Sequence, residues 1–482
     1  MVLALLVRLA NMADTFYWYD LETTGTNPKW DRIVQFAGIR TDLDLNPIGE
    51  ELCFFVCLPD DVLPNPDASL VTGITPSKLA EAGISEFQAL EKIMQEFSVP
   101  GTCALGYNSL RFDDEFIRYA LYRHLQDPYA REYRDGNTRW DMVDLVRAAG
   151  ALRRDGIAWP TNADGEAVYK LEELTKANGI DHGQAHDAMS DVHATIGMAR
   201  LLKAKQPKLF EYYYSLRQKK NVKPLLEPFG TRLCAHVSAM YGKERYNVAP
   251  IISLTRHPSN TNSVVVADLG QEVECLLDWS EDEIRSKLFV PKGETRAPLR
   301  EVKVNRSPFV APFEVLTEEN LQTLGLSKRE IKERWRRLKQ PALAQKIRRA
   351  YVQDGPPPEH DPDAALYGAF LQDEDKARAK HLYQEIAAGG FSTMDFRDGR
   401  LPTLAARMKA RSFAHLMSAD ESAAWHEYVK DKLAGEGDWL NLAGFDQRLA
   451  ELAAENLSDN KQRILGELGQ YGAELKTKYG LA

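Results

Sequence analysis

The alternation of apolar and polar positions changes character several times along the chain. At the start, β-branched and aromatic runs at Thr15–Tyr19, Ile33–Arg40 and Leu52–Leu58 are separated by turn-forming Asn, Pro, Gly and Asp residues, a pattern typical of consecutive strands. Apolar residues then recur at helical spacing in Ser85–Phe97 and Asp113–Leu125. The pattern therefore predicts a sheet whose strands are followed by amphipathic helices.

A further amphipathic helix closes this first unit. From Asp187 onward the chain carries one apolar stripe at helical spacing, made by Val192, Ile196, Ala199 and Leu202. We predict an α/β domain over residues 15–204, preceded by an N-terminal extension over residues 1–14. The apolar start is interrupted by Arg8 and is too short to span a membrane. We expect it to be an extension ahead of a second start at Met12, with a cleaved signal peptide as the alternative.

The rest of the chain divides into a β-rich part and a helical part. Short β-type runs such as Asn262–Asp268 are broken by Gly, Pro and Asn, and helical spacing returns from Glu318 to Gln353. These features predict a small β domain with basic helices over residues 205–355. Pro356-Pro357-Pro358 predicts a stiff linker. The Ala-, Leu-, Glu- and Lys-rich remainder predicts an α-helical domain over residues 356–482.

Composition indicates a folded protein of a reducing compartment. The chain has 482 residues, of which 44% are hydrophobic and 27% are charged, so it can form several packed domains and is neither membrane-like nor disordered in composition. Its five cysteines form no C-x-x-C pair of the kind that thiolate zinc sites use. We therefore expect a cytoplasmic protein without a membrane segment.

Net charge and local charge point in opposite directions. The formal net charge of −9 argues against a polyanionic partner, but the distribution of charge matters more. From Lys203 to Arg232, eight Lys or Arg residues against two Glu residues give +6, and from Ser327 to Ala350 ten against two give +8. Each run alone is compatible with a solvated helix face. If the chemistry considered below acts on nucleic acid, both runs make sense as walls of a channel over the active site.

Acidic residues and one histidine stand at positions that suit metal-dependent chemistry. Asp20 and Glu22 are two apart at the end of the first strand, so their carboxylates share one face. Asp113 opens a helix, His186 just precedes a later helix, and Asp191 lies about one turn into it. Taken singly, each has an ordinary explanation as a solvated turn or a helix cap. The joint pattern carries the functional argument.

The order Asp-x-Glu, Asp, His-x4-Asp within one α/β unit resembles the DEDDh exonucleases of the ribonuclease H-like fold. The match extends to Thr72-Gly73-Ile74 and to Asn108 ahead of Phe112-Asp113. A second set of phrases resembles bacterial exonuclease I, a family that degrades single-stranded DNA: Glu22–Pro28, Gln35–Ala37, Ile39–Asp42, Arg139–Asp141 and Leu174–Ile180. This resemblance runs over nearly the whole chain after Met12.

The resemblance implies both an architecture and a chemistry. The fold would be an α/β ribonuclease H-like nuclease domain with a mixed sheet, followed by a small SH3-like β domain and an α-helical C-terminal domain. The activity would be processive 3′ to 5′ hydrolysis of single-stranded DNA to 5′-mononucleotides. Hard oxygen ligands suit two Mg²⁺ ions, for which Mn²⁺ can substitute. The expected ligands are Asp20, Glu22, Asp113 and Asp191.

Further roles are expected for residues around this set. His186 is the candidate general base, because an imidazole can accept a proton near neutral pH. Lys170 stands where the family more often has an arginine that contacts the scissile end of the strand. A lysine ammonium offers a single charged group there, whereas an arginine guanidinium can form two parallel hydrogen bonds to a phosphate. Aromatic residues in the basic runs could stack on bases: Tyr212, Tyr213 and Trp335. The expected substrate contacts are Glu22, Thr24, Asn108, Lys170 and Tyr212.

Two other functions remain open at this point. One is an RNA-trimming or proofreading DEDDh exonuclease, against which the long C-terminal extension argues. The other is a non-catalytic single-strand binding protein, against which the five intact catalytic positions argue. No G-x-x-x-x-G-K-[ST] motif occurs, so we expect no use of ATP. The resemblance also implies recruitment by the acidic, hydrophobic tail of single-stranded DNA-binding protein, and a monomer is the default.

Overall fold

Two sheets and a set of helices make up the chain in the computed structural model, which describes residues 14–183, 185–291, 294–352, 355 and 359–481. The predicted N-terminal extension, apart from Asp14, and the Pro356-Pro357-Pro358 linker lie outside the described residues. Every helix in the described part of the chain is too short or too polar to cross a membrane.

The first sheet is mixed, as predicted. Its strands are β1 (Thr15–Thr23), β2 (Ile33–Thr41), β3 (Leu52–Val56), β4 (Gly83–Ile84), β5 (Thr102–Gly106) and β6 (Thr138–Asp141). Their order is β4-β3-β2-β1-β5-β6, with β1 antiparallel to β2 and parallel to β5. The Tyr, Trp and Phe side chains that alternate along β1 are buried on both faces of the sheet.

Helices cover both faces of this sheet, and side-chain caps fix where several of them begin. Asn65, Thr75 and Ser85 each accept a hydrogen bond from a free N–H in the first turn. The helices are α1 (Pro66–Thr72), α2 (Pro76–Ala82), α3 (Glu86–Phe97), α4 (Asp113–Arg123), α5 (Met142–Leu152), α6 (Leu171–Ala177) and α7 (Ala188–Lys205).

The second sheet has the strands β7 (Leu233–Val237), β8 (Val248–Arg256), β9 (Ser263–Asp268), β10 (Leu299–Lys303) and β11 (Phe309–Pro312). It is antiparallel throughout, with the order β10-β9-β8-β7-β11. The surrounding helices are α8 (Pro207–Ser215), α9 (Lys219–Leu226), α10 (Cys275–Asp278), α11 (Glu281–Ser286), α12 (Glu318–Thr323), α13 (Lys328–Leu338) and α14 (Pro341–Ala350).

The last part of the described chain is helical. Its helices are α15 (Asp373–Ala387), α16 (Leu401–Ser412), α17 (Ala419–Ala434), α18 (Leu442–Ala453) and α19 (Asp459–Tyr479). They pack on the first sheet's helices rather than standing apart: Leu404 and Met408 of α16 share a core with Phe87 and Tyr122. The predicted fold class is therefore confirmed, whereas the exact domain boundaries stay a prediction.

Candidate active site

Strand β1 carries two of the predicted carboxylates on the face that it turns toward the larger core. Phe16 and Trp18 on that face are buried, whereas Leu21 belongs to the core on the opposite side of the sheet. After Trp18, the next two residues on this face are acidic. Asp20 is half-buried and Glu22 is 8% exposed. Both carboxylates therefore lie where the core ends.

Asp113 reaches the same strand from the first turn of α4. Strand β5 pairs with β1 only as far as Leu105 opposite Trp18. Further along β1, the backbone N–H of Leu21 donates to Asp113 Oδ1 at 3.1 Å. This contact holds a buried carboxylate against the residue that separates Asp20 from Glu22.

The neighbouring Asp114 has a different role from Asp113. Its carboxylate accepts hydrogen bonds from the Tyr19 hydroxyl at 2.7 Å and from Arg139 Nη1 at 2.6 Å, and it also pairs with Arg131. Burial opposes the ionisation of Asp114, but the charges of Arg131 and Arg139 lower its pKa. Asp114 therefore anchors α4 as a fully paired carboxylate.

The segment at the start of α7 supplies the remaining two residues. Asp187 caps α7, and Gln35 Nε2 of β2 donates to its second oxygen at 3.4 Å. His186 has φ of +65°, and its backbone N–H donates to Asp191 Oδ2 at 3.3 Å. The potential ligand atoms of Glu22, His186 and Asp191 all lie within 4.8 Å of one another. The contact between Asp187 and Gln35 therefore holds this segment against the sheet, because Gln35 pairs with Glu22 across β1 and β2.

Burial and mutual repulsion make this cluster of carboxylates unfavourable without a cation. Burial is the main cause that raises the pKa of Glu22 to about 8, followed by the charges of Asp191 and Asp113. Burial and the charges of Asp113 and Glu22 also raise the pKa of Asp20 well above its ordinary value. A hard divalent cation relieves such repulsion and prefers carboxylate oxygens. The donor set therefore fits a divalent metal site.

A second histidine at this site was missed by the sequence analysis. His182 lies in the loop between α6 and α7, its side chain is only 8% exposed, and its Nε2 lies 2.5 Å from Asp191 Oδ1. The only sequence signal was the spacing His-x-x-x-His that it forms with His186. That spacing was uninformative because both histidines precede α7, so they do not share one face of a helix.

Two of the predicted substrate contacts lie in tight turns. The Thr24 side chain is 2% exposed, and its hydroxyl donates to Asp31 Oδ1 at 2.8 Å while it accepts from the backbone N–H of Arg32. Asn108 has φ of +69°, and its backbone N–H donates to Asp141 Oδ1 at 2.9 Å. The structure thus gives Thr24 a turn-forming contact, and the substrate roles of both residues stay predictions.

The other two predicted contacts differ in accessibility. The side chain of Lys170 is 74% exposed just before α6, and the adjacent Tyr169 carbonyl accepts a hydrogen bond from the Tyr107 hydroxyl at 2.6 Å. Lys170 is therefore held near the Asn108 turn, and its exposed ammonium lies 3.9 Å from Glu172 Oε1. Tyr212 is half-buried, and its hydroxyl donates to the Val310 carbonyl at 2.7 Å, which places it at the junction with the second sheet.

The prediction that Tyr213 could stack on bases is wrong. Tyr213 is fully buried, and its hydroxyl donates to the Ser307 carbonyl at 2.8 Å. Its ring packs against Trp140 and Phe309 in the core. The reason is helical spacing, because Phe210 and Tyr213 form the inward stripe of α8.

Part of the charge of the second basic run is paired within the protein, and its role in a channel stays a prediction. Three of its arginines pair with glutamates about sixty residues earlier in the chain: Arg334 with Glu272, Arg337 with Glu274 and Arg349 with Glu281. Lys346 donates to the carbonyls of Leu277 and Trp279. These contacts hold α13 and α14 to the segment of α10 and α11 that follows β9.

Two joined cavities provide a basic groove instead. One, of about 1260 Å³, is lined by the cations Arg147, Lys170, Lys243, Arg245 and Arg300. The other, of about 340 Å³, shares Arg300 and Met240 with it and adds Arg111, Arg296, Lys303 and Arg306. Leu110 and Arg111 line the smaller cavity immediately ahead of Asp113. We call these two cavities the basic groove; neither basic run contributes to its described lining.

Comparison with known proteins agrees with this geometry. Family profiles described as Exonuclease, Exonuclease I SH3-like domain and Exonuclease I C-terminal domain match residues 17–199, 217–353 and 360–475. Exodeoxyribonuclease I of Haemophilus influenzae is 38% identical over 471 residues, which is 96% of this chain and 98% of that protein.

Solved structures match over the same extent. A moderately thermophilic exonuclease I from Methylocaldum szegediense has 41% sequence identity and a TM-score of 0.90 over 96% of this chain and all of its own. Escherichia coli exonuclease I in complex with a dA16 oligonucleotide has 36% identity and a TM-score of 0.91 over the same shares. Since relatives of this similarity span all three parts of the fold, the chain belongs to the exonuclease I family.

Proposed function

We propose that this chain is a processive 3′ to 5′ exonuclease that hydrolyses single-stranded DNA to 5′-mononucleotides during DNA repair and recombination. The observation that carries the proposal is the group formed by Glu22, His186 and Asp191, whose potential ligand atoms all lie within 4.8 Å of one another. Asp20 shares the strand face of Glu22, and Asp113 accepts a hydrogen bond from the backbone N–H of Leu21 between them. Leu110 and Arg111, just ahead of Asp113 in the chain, line the smaller cavity of the basic groove, and the chain belongs to the exonuclease I family.

The proposed roles follow from where each side chain lies. Asp20, Glu22, Asp113 and Asp191 would hold two Mg²⁺ ions, for which Mn²⁺ can substitute. When bound, the ions would stabilise negative charge on the phosphoryl oxygens and on the leaving 3′ oxygen. His186 is exposed beside Glu22 and Asp191, so it can take the proton of the attacking water. As the new O–P bond forms, the bond from phosphorus to the 3′ oxygen breaks and frees the terminal nucleotide.

The basic groove would guide the rest of the strand. Its cations outnumber its carboxylates in both cavities, and contacts to phosphates bind without regard to base sequence. Lys170 in the groove lining would reach the scissile end, with Glu22 at the terminal sugar. If the basic groove holds the strand, the DNA would dissociate more slowly than the next nucleotide is cleaved. The enzyme would then be processive without using ATP.

The chain would act as a monomer. Its unpaired cysteines fit the reducing environment of the cytoplasm. The acidic, hydrophobic tail of single-stranded DNA-binding protein would recruit it. The alternative of an RNA-trimming enzyme is less well supported, because the SH3-like and C-terminal profiles of exonuclease I match beyond the nuclease domain.

A substrate panel tests the proposal. We expect rapid loss of a 5′-labelled single strand of DNA in Mg²⁺, little loss of a blunt duplex or of RNA of the same sequence, and none in a chelator. Added Mn²⁺ should restore cleavage. Preferred digestion of RNA would favour the trimming alternative, and binding of DNA without cleavage would favour the non-catalytic one.

A further inference from the structure

His182 is a buried histidine in direct contact with one of the proposed metal ligands. Its Nε2 lies 2.5 Å from Asp191 Oδ1, and its Nδ1 lies 3.1 Å from Thr175 Oγ1 on α6. Thr175 is fully buried, and its hydroxyl also lies 2.9 Å from the Leu171 carbonyl. The imidazole is therefore clamped between α6 and the first turn of α7.

Both ring nitrogens of His182 have partners. A carboxylate oxygen accepts hydrogen bonds, so the imidazole Nε2–H donates to Asp191 Oδ1. Nδ1 lies against the Thr175 hydroxyl, which fixes the orientation of the ring.

Asp191 is consequently held from both sides. His182 donates to Oδ1 and the backbone N–H of His186 donates to Oδ2. We infer that His182 is a positioning residue that sets the orientation of the Asp191 carboxylate toward the metal ions, an inference that rests on the proposed function. His186 is exposed and free to meet water, whereas His182 is buried and committed to one carboxylate.

The expected effect is on metal affinity first. Hydrogen-bond partners behind a metal ligand typically contribute about 10- to 100-fold to metal affinity or activity. Without His182, the carboxylate loses its donor on Oδ1 and can rotate away from Glu22. Saturating metal should then recover part of the cleavage rate, because the ligands themselves are unchanged.

Direct binding of Mn²⁺, followed by electron paramagnetic resonance, measures this effect without relying on activity. His182→Ala and His182→Phe both remove the donor, and phenylalanine keeps the buried volume filled if alanine impairs folding. Both should weaken Mn²⁺ binding by about 10- to 100-fold. His182→Gln, whose amide nitrogen can reach the Nε2 position, should retain most of the affinity. His193→Ala is the matched control, because His193 lies on α7 but pairs with Glu51 at half-exposed positions.

The outcomes separate this inference from the proposed function. If wild type does not bind Mn²⁺, or Asp191→Asn binds it as wild type does, the proposed metal site fails. If both behave as expected but His182→Phe binds Mn²⁺ as tightly as wild type, only the positioning role is overturned. Equal losses in His182→Gln and His182→Phe would also overturn it, because restoring the donor would then have no effect.

Discussion

At the scale of single residues, the site stores electrostatic repulsion that a cation would remove. Glu22 is 8% exposed. Burial is the largest cause of its raised pKa, and the charges of Asp191, Asp113 and Asp187 raise the pKa further. Such an arrangement costs folding free energy whenever the carboxylates are ionised and no metal is bound. A bound divalent cation would offset this cost, so the arrangement fits a metal site.

This repulsion predicts how stability depends on pH in a chelator. The pKa of Glu22 is raised from 4.5 to about 8 in the folded protein, so the folded state binds a proton that the unfolded chain releases. The contribution is fully present below pH 4.5 and is lost as pH rises toward about 8. Thermal unfolding should therefore show a falling midpoint over this range, with a smaller fall in Glu22→Gln. Excess Mg²⁺ should flatten the curve; identical curves for wild type and variant would contradict the prediction.

The sequence was informative about residues only where a motif linked them. Asp20, Glu22, Asp113, His186 and Asp191 were predicted together because their order and spacing form one pattern, and the structure brings their elements together. His182 was missed because it belongs to a loop with no periodicity. Tyr213 was misjudged because the chemistry of its ring was considered before the helical stripe that buries it.

At the scale of elements, one carboxylate controls the turn that leads into α4. Asp141 is fully buried at the end of β6, and it accepts hydrogen bonds from the backbone N–H groups of Asn108 at 2.9 Å, Leu110 at 3.1 Å and Val143 at 3.0 Å. It thus caps α5 and also fixes the turn whose end carries Asp113. The parallel pairing of β5 with β6 brings the two segments together.

Removing this clamp should impair both stability and activity. Asp141→Ala leaves buried amides without an acceptor, which costs about 1–3 kcal/mol, and it frees the turn ahead of Asp113, so kcat/KM should fall. Asn441→Ala is the control, since Asn441 caps α18 far along the chain and should cost about 1 kcal/mol without changing kcat/KM. Chemical denaturation and steady-state kinetics test the pair. Full activity in Asp141→Ala would show that the turn needs no clamp.

Element positions were predicted better than element surroundings. Ser85–Phe97 was expected as a helix, and the structure has Glu86–Phe97 with Ser85 as its capping residue. The second basic run was also helical as expected, but its charges meet Glu272, Glu274 and Glu281. Local charge counts cannot anticipate such pairs, because they depend on tertiary contacts.

At the scale of the whole molecule, a buried ionic cluster joins the C-terminal helices to the nuclease part. Asp61 lies between β3 and α1 and is 2% exposed. Arg411 at the end of α16 contacts it at 2.6 Å, and Lys432 of α17 contacts it at 2.9 Å. Burial opposes the ionisation of Asp61, but the charges of Arg411 and Lys432 lower its pKa well below its usual range. The cluster makes these parts of the fold depend on each other.

Breaking the cluster should loosen the C-terminal helices. Asp61→Asn leaves Lys432 buried without its carboxylate partner and leaves Arg411 paired with Asp363 alone, and breaking a buried ion pair typically costs about 3–5 kcal/mol. Guanidinium unfolding should show this loss, and limited proteolysis should cut the C-terminal helices first. Asp446→Asn is the control, because its pair with Lys476 is solvent-exposed and should contribute less than about 1 kcal/mol. Equal losses in the two variants would mean that the buried cluster has no special role.

The most direct test of the proposed mechanism is release of the 3′-terminal nucleotide from a 5′-labelled single strand in one turnover with Mg²⁺. Wild type should shorten the strand one nucleotide at a time and do nothing in a chelator. Asp113→Asn should bind the strand yet release no nucleotide, and His186→Ala should be slower by about two to four orders of magnitude. Cleavage at the wild-type rate by Asp113→Asn, or by wild type in a chelator, would contradict hydrolysis at a site of metal-binding carboxylates.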